Sequence, residues 1–523
     1  MLSWSLSTAF LTVVLVSWVH RFYSHKRQTA NLPGLRSLIG LNLVGALIPT
    51  SRFNLGLNWY WKWRNQVYQR VGCDTISIIG YLFGTPALCT ISIEVSRQVL
   101  NPNTPWRRSP ETSAILMLRG QNILSANDDE WRRHLRVIGP GFSTKLYDLV
   151  WRESSDLMGE IAASGEWDDK EEVYIPAVNE MTARFALSVI ARCGFGLPMH
   201  WDTESDLDGD SQDDMVFGRA LGTVSDSFLL RLITPRWMYW LPIRRLQEIE
   251  KAYTWLRHTM TLLIAARREE FGQDPASETR QDLFSKMVQA SQKEGKLAMS
   301  DDELIGNTFL MLFAGHDTTA KALDATLGFL ALYQDIQDEV FQELAAVLED
   351  DPELSFAAYN HMHKLQACFM EAARLFPGGL VMFRDATEDV ILKTDNPGSP
   401  SIALQKGTRI IVDTIGMHYN PRYFPEPEEY RPSRWYDAPE SDLTMFSMGS
   451  RACLGRRFAL TETACFLAKM LQRWRVDVVL ENGESREEWR KRVMVGFVSM
   501  AFGVGTVPVR LVKRPRPRDA AGK

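Results

Sequence analysis

The chain has 523 residues, a hydrophobic content of 45%, a charged content of 24% and a net charge of −5. Its length exceeds the usual single-core size, so one large domain or two are expected, and the charge balance gives no general case for nucleic-acid binding. Six scattered cysteines (Cys73, Cys89, Cys193, Cys368, Cys453 and Cys465) contain no CxxC pair, which argues against a disulfide framework or zinc site and for a reducing compartment.

Leu2 to Val19 carries no charge and is rich in Leu, Val, Phe and Trp. As a helix it would be about 27 Å long, near the thickness of the bilayer's hydrocarbon core. His20-Arg21 and Lys26-Arg27 follow, and the run has neither the leading positive charge nor the small-residue cleavage site of a signal peptide. A single transmembrane anchor over residues 1–19 is expected, with the basic flank on the cytoplasmic side. A basic, Pro-containing linker is expected over 20–34, a catalytic domain over 35–510 and a basic disordered tail over 511–523.

Thr75-Ile76-Ser77-Ile78-Ile79 and Ala87-Leu88-Cys89-Thr90-Ile91 flank Gly84-Thr85-Pro86 and read as a hairpin. Most of the chain beyond Ile91 has helical periodicity. Asn127-Asp128-Asp129 offer caps for a helix that carries Trp131 through Arg136. The acidic run from Asp202 to Asp214 lacks the bidentate Glu of an EF-hand and reads as a solvated loop. Ile233 to Leu241 is an aromatic connector, suited either to core packing or to a second membrane contact. His361 and His363 are two apart, so they point different ways on a helix and read as surface residues.

Leu304 to Leu332 is a long helical pattern carrying Ala314-Gly315-His316-Asp317-Thr318-Thr319. A mid-helix glycine costs roughly 1 kcal/mol against alanine and wants a reason, such as room for a flat cofactor beside the helix. The Thr318 hydroxyl can bond back to the Ala314 carbonyl and bend the helix, with Asp317 supplying an acid at the same opening. Further on, Glu371 and Arg374 share a helix face at i, i+3, and Arg384 and Arg434 come after them. Finally, Phe446-Ser447-Met448-Gly449-Ser450-Arg451-Ala452-Cys453-Leu454-Gly455 places one cysteine in a Gly-rich loop before an apolar helix. A helix N-terminus favours a thiolate, which is a good soft metal ligand.

Phe-x-x-Gly-x-Arg-x-Cys-x-Gly is highly specific, and with the other motifs in order the chain resembles the cytochrome P-450 family from about Pro33 to near its end. The anchor and motif spellings are similar to a microsomal, fungal-type member. The resemblance implies a mainly α fold with a small β-rich subdomain near the N-terminus, preceded by the single transmembrane helix. It implies haem b as cofactor, with Cys453 the axial iron ligand and Arg451, Arg384 and Trp131 on the haem propionates. Phe446, Gly449 and Gly455 would complete the cofactor loop. Asp317 and Thr318 fall in the proton-delivery positions, and Glu371, Arg374 and Arg434 form a structural ion triad. The family's arginine four residues after the tryptophan falls on Leu135, which leaves open whether Arg136 or His134 replaces it. Substrate-facing positions would be Ile115 to Leu118, Ile123, Phe309, Phe313, Leu380 to Met382 and Val498 to Phe502.

The implied activity is insertion of one oxygen atom from O2 into a lipophilic small molecule, such as a terpenoid or other secondary metabolite. No nicotinamide- or flavin-binding motif is visible, so electrons from NADPH would arrive through NADPH–cytochrome P-450 reductase, with cytochrome b5 as a second donor. Arg132, Arg133, Arg136, Arg456 and Arg457 would offer that reductase a basic surface. The implied location is the endoplasmic reticulum membrane. The alternatives are a haem-thiolate isomerase or dehydratase, in which the acid–threonine pair is often lost, and a helical binding protein without haem.

Overall fold

The structure is a computed structural model that describes residues 2–109, 120–197, 199–201, 217–273, 282–292, 295, 297–438, 443–498 and 501–514, with the backbone alone for 2–11, 13 and 14. It divides into two compact units. Residues 1–112, 380–428 and 448–451 form the first, and 113–379, 429–447 and 452–523 the second.

The first unit holds the β-rich part. Its six-stranded sheet runs, in spatial order, Gly34–Ile39, Thr75–Phe83, Ala87–Thr90, Arg409–Asp413, Val381–Ala386 and Trp106–Arg107. The expected hairpin is present, with Thr75 opposite Thr90 and Ile78 opposite Ala87. Gly84 turns it at φ +115, a conformation that glycine adopts without strain. Ala87–Thr90 then pairs in parallel with Arg409–Asp413, whose other neighbour is the antiparallel strand Val381–Ala386 that carries Arg384. Leu88, Ile410, Val95, Val99 and Trp106 pack together as its apolar core.

Helix α1, Leu2–Gln28, belongs to this unit and runs well past the expected anchor boundary. Residues 20–28 are therefore helix rather than linker, and strand begins at Gly34. His25, Lys26 and Arg27 occupy the last turn, where cations suit the helix dipole. The chain leaves the helix through Ala30 and Asn31, both with positive φ. Phe22 stacks on Tyr81 at 5.5 Å, and Trp18 donates its indole N–H to the Tyr81 carbonyl. Among the described residues no helix is long and apolar enough to cross a membrane; most of the apolar run Leu2 to Val19 lies outside those with described side chains.

The second unit is mostly helical. Five of its helices position the site: α2 (Asp128–Ile138), α3 (Val178–Val189), α4 (Asp301–Leu332), α5 (His363–Leu375) and α6 (Arg456–Leu471). Helix α4 starts at a capping box, in which Ser300 Oγ accepts the Glu303 N–H and Glu303 Oε2 accepts the Ser300 N–H at 2.9 Å. It is buried on nearly all sides from Leu304 to Ala331, as a central helix with apolar residues all round should be. Helix α3 packs along it and joins it through a buried polar cluster: Asp324 accepts from the Thr182 hydroxyl and, at 2.7 Å, from Asn179 Nδ2. A π turn, Ile190–Gly194, extends α3.

A small antiparallel sheet of Trp474–Val478, Val509–Lys513 and Glu172–Ile175 closes the chain's C-terminal part. Residues 511–513 are therefore strand, not the start of a disordered tail: Val509 and Leu511 are buried while Arg510 between them is exposed. The acidic run 202–214, the positions 115–118 and the tail beyond Arg514 lie outside the described residues. His361 and His363 are exposed, as expected.

Candidate active site

Phe446, Cys453, Gly455, Trp131, Asp317, Thr318, Glu371, Arg374 and Arg434 lie in the second unit; Arg384, Gly449 and Arg451 lie in the first. The cysteine loop is built by backbone geometry. Ser447 and Gly449 have φ of 67° and 74°, so the chain reverses twice within three residues. The Cys453 N–H then donates to the Phe446 carbonyl at 2.8 Å, and α6 begins three residues on. Of the six cysteines Cys453 is the exposed one; Cys89, Cys193, Cys368 and Cys465 are buried and Cys73 is intermediate. Desolvation by the surrounding chain pushes its thiol above the usual range, opposed by the Gly455 N–H and the Arg456 guanidinium. The helix end therefore helps the thiolate, but desolvation outweighs it.

Helix α4 opens in its middle. Ala314 and Thr318, one turn apart on one face, are exposed although the helix around them is buried. Thr318 Oγ1 donates to the Ala314 carbonyl at 2.9 Å, the back-bond expected from sequence. Its own proton is thus used, and its lone pairs remain available on the open face. Asp317 Oδ2 accepts the Ala501 N–H at 3.1 Å. His316 is buried and donates its Nδ1 proton to the Leu312 carbonyl, and burial lowers its pKa. At Gly315 a Cβ would lie 3.0 Å from Ile190 Cγ1, so the glycine gives room to the π turn of α3. Phe309 and Phe313 stack at 5.4 Å on the same helix.

Trp131 is buried on α2. His134 is also buried and engages Asn307 at 3.1 Å and Glu303 at 3.3 Å, so it is committed to α4 and does not stand in at the Leu135 position. Arg136 is exposed. Arg133 is not a free surface charge: it pairs with Glu303 and donates to the Ala298 carbonyl at 2.6 Å. Burial works against the Glu303 carboxylate, yet Arg133, the Ser300 N–H and His134 hold it down at about 2. Arg132 pairs with Asp129 at 2.6 Å. Two of the five arginines expected on a docking face thus already have acidic partners.

The first unit gathers three cations. Burial, and after it Arg384 and Arg451, hold Arg108 well below the usual guanidinium range; burial and then Arg451 bring Arg384 to about 10. Nothing in the sequence singles out Arg108, which follows the strand Trp106–Arg107 with no motif around it. Only the pairing of that strand with Val381–Ala386 brings it beside Arg384.

Glu371 is fully buried and accepts five hydrogen bonds. Arg374 donates Nε and Nη2 at 2.9 Å each, Arg434 Nε donates at 3.2 Å, the Arg431 N–H at 3.0 Å and the Trp435 indole N–H at 2.8 Å. The expected triad is present and larger than expected, because Arg431 and Trp435 join it.

The sequence matches the family model described as Cytochrome P450 over residues 66–499. The chain is 34% identical to "Cytochrome P450 monooxygenase 124" of Postia placenta, across 89% of this chain and 90% of that protein. It is 27% identical to "Cytochrome P450 monooxygenase prx9" of Penicillium rubens, across 81% and 79%. A crystal structure of a cytochrome P450 (CYP102L1) superposes with a TM-score of 0.67 at 18% identity, covering 86% of this chain and 97% of that one, which bears on the fold. The chain belongs to the cytochrome P-450 family. It is a haem-dependent monooxygenase that uses O2.

Proposed function

We propose that Cys453 is the axial ligand of haem iron, that Asp317 and Thr318 deliver protons, and that the substrate is a lipophilic small molecule. The observation that carries this is Cys453 itself, the exposed cysteine at the head of α6 in a loop held by two residues of positive φ. The donor set fits haem. Within the second unit a soft sulfur suits iron, and the open strip at Ala314 and Thr318 leaves a helix face exposed; within the first, taken by itself, the cluster of Arg108, Arg384 and Arg451 suits carboxylates.

When bound, haem supplies the reductive activation of O2 and the oxidation of a substrate carbon. In balance, substrate, O2, two electrons and two protons become hydroxylated substrate and one water. The protein must bring the protons and keep out the water that would divert them. Thr318 holds its hydroxyl by donating to Ala314 and so presents an acceptor to the open face. Asp317, adjacent and partly exposed, is the acid that can exchange with solvent. Phe309 and Phe313, stacked and buried on α4, provide apolar aromatic packing suited to a lipophilic substrate, and a fungal relative 22% identical, the "Phomenoic acid biosynthesis cluster cytochrome P450 monooxygenase" of Leptosphaeria maculans, supports a secondary metabolite, a terpenoid being one such class. The test is product analysis after coexpression with a diflavin NADPH reductase and candidate lipophilic precursors. Replacing Thr318 with Ala is expected to leave haem uptake intact and to divert electrons to hydrogen peroxide, read as product per NADPH consumed. An unchanged ratio would assign proton delivery to another group.

The electrons are proposed to come from NADPH–cytochrome P-450 reductase, with cytochrome b5 as an auxiliary donor. The exposed Arg136 supports a basic docking face, while Arg132 is paired with Asp129 and Arg133 is withdrawn from it by Glu303. Residence in the endoplasmic reticulum membrane is proposed from the uncharged run Leu2 to Val19 and its basic flank. A second contact at Arg236–Trp240 is supported by Trp237 and Trp240, which are 61% and 88% exposed while Tyr239 between them is buried. A chain beginning at Arg27 is expected to lose carbonate-resistant membrane association and to keep its haem spectrum. Undiminished association would make Arg236–Trp240 the main attachment.

A further inference from the structure

The acid–hydroxyl pair of α4 is gripped by two chain segments that belong to neither that helix nor the cysteine loop. Ala501 donates its N–H to Asp317 Oδ2 at 3.1 Å. Phe502, the next residue, donates its N–H to the Gly378 carbonyl at 3.1 Å, and its ring stacks on Phe376 at 5.9 Å. Gly378 in turn lies against Thr318: a Cβ on it would fall 3.2 Å from Thr318 Cβ and 3.4 Å from Cγ2. The contacts close a ring that runs from Asp317 through Ala501, Phe502 and Gly378 to Thr318.

We propose that Gly378 is a positioning residue for Thr318, and that this ring fixes the geometry of the proton-delivery pair; the inference rests on the role proposed above for that pair. The hydroxyl and methyl of threonine share one Cβ, so a single χ1 angle sets both. At Thr318 the hydroxyl is tied to Ala314, and the methyl side is where the Gly378 backbone approaches. Only a residue without a side chain lets backbone come that close. An alanine there must push Thr318 by a few tenths of an ångström, against a helix carbonyl that resists the move. On the other arm, the Ala501 N–H donates to Asp317 Oδ2 and so holds the direction of that carboxyl group. Gly379 is the internal control, since a Cβ on it would meet nothing within 4 Å.

The test uses the full-length, haem-loaded chain with a diflavin NADPH reductase and no added substrate. Two-electron reduction of O2 gives one peroxide per NADPH, and four-electron reduction gives two waters per two NADPH, so the peroxide share reports how well protons are managed. Gly378→Ala is expected to raise that share by at least half of the rise caused by Thr318→Ala, with carbon monoxide-binding absorbance per protein unchanged. Gly379→Ala should match the native chain. Gly378→Ala with Thr318→Ala should be no worse than Thr318→Ala alone. A Gly378→Ala share equal to native, or effects that add in the double variant, would overturn the proposal. If Gly378→Ala takes up no haem, Ala501→Pro deletes the N–H that Asp317 accepts, placing a ring Cδ there and fixing φ; it should raise the share, and no rise would overturn the ring. A native share already equal to that of Thr318→Ala would instead overturn the role of Thr318 itself.

Discussion

Replacing Glu371 with Ala is expected to destabilise the protein by about 3–5 kcal/mol, because the buried guanidinium it neutralises is left uncompensated. That is a large share of the roughly 5–15 kcal/mol by which native proteins exceed their unfolded states. The effect should be large because Glu371 serves two jobs at once. It cancels the charge of Arg374, itself fully buried, and it satisfies the indole of Trp435 and the amide of Arg431. Without it, the buried guanidinium of Arg374 and the buried indole of Trp435 lose the carboxylate that satisfies them. Glu371→Gln keeps the volume but turns an N–H2 towards donors, so it should also be costly. The expected readout is a sharply lowered unfolding midpoint and poor recovery of haem-loaded protein. A midpoint equal to that of the native chain would show that the cluster does not hold the segment from Glu429 to Trp435.

The second large effect is expected at Cys453. Cys453→Ala should reduce oxygenation to background and abolish the red-shifted carbon monoxide band of thiolate-bound haem. No other cysteine can take over. Burial raises the thiols of Cys89 and Cys193 far above the usual range, and burial first among its causes brings Cys368 to about 12. Cys465 sits inside α6 with its sulfur turned to the Trp151 carbonyl at 3.4 Å. Cys453→His would keep a ligand but not a thiolate, and should lose the band while retaining some haem. A variant that kept both band and turnover would refute the ligand assignment.

Much of this site could be read from the chain because its determinants are local. The Thr318 back-bond needs only an i, i−4 carbonyl, and the cysteine loop needs only glycine and a following helix. What the chain did not disclose depends on tertiary neighbours. Arg431 and Trp435 reach Glu371 only because the Pro432–Trp435 turn folds over α5, and Arg108 meets Arg384 only through strand pairing. The packing of Gly315 against Ile190 is hidden for the same reason, since the two are remote in sequence. Arg133 looked like surface charge because α2 opens with three consecutive acidic residues, but Glu303 in the cap of α4 takes it. Two boundaries failed on composition. Hydropathy stops at Val19 although nothing breaks the helix before Ala30, and the basic residues near the C-terminus hid the in–out alternation of Val509 to Leu511.

The most direct measurement is the absorption spectrum of the full-length chain, expressed with haem available, after reduction and exposure to carbon monoxide. The expected result is the strongly red-shifted band characteristic of thiolate-ligated haem, with about one haem per chain. A band typical of imidazole or neutral thiol ligation, or no stoichiometric haem at all, would contradict it.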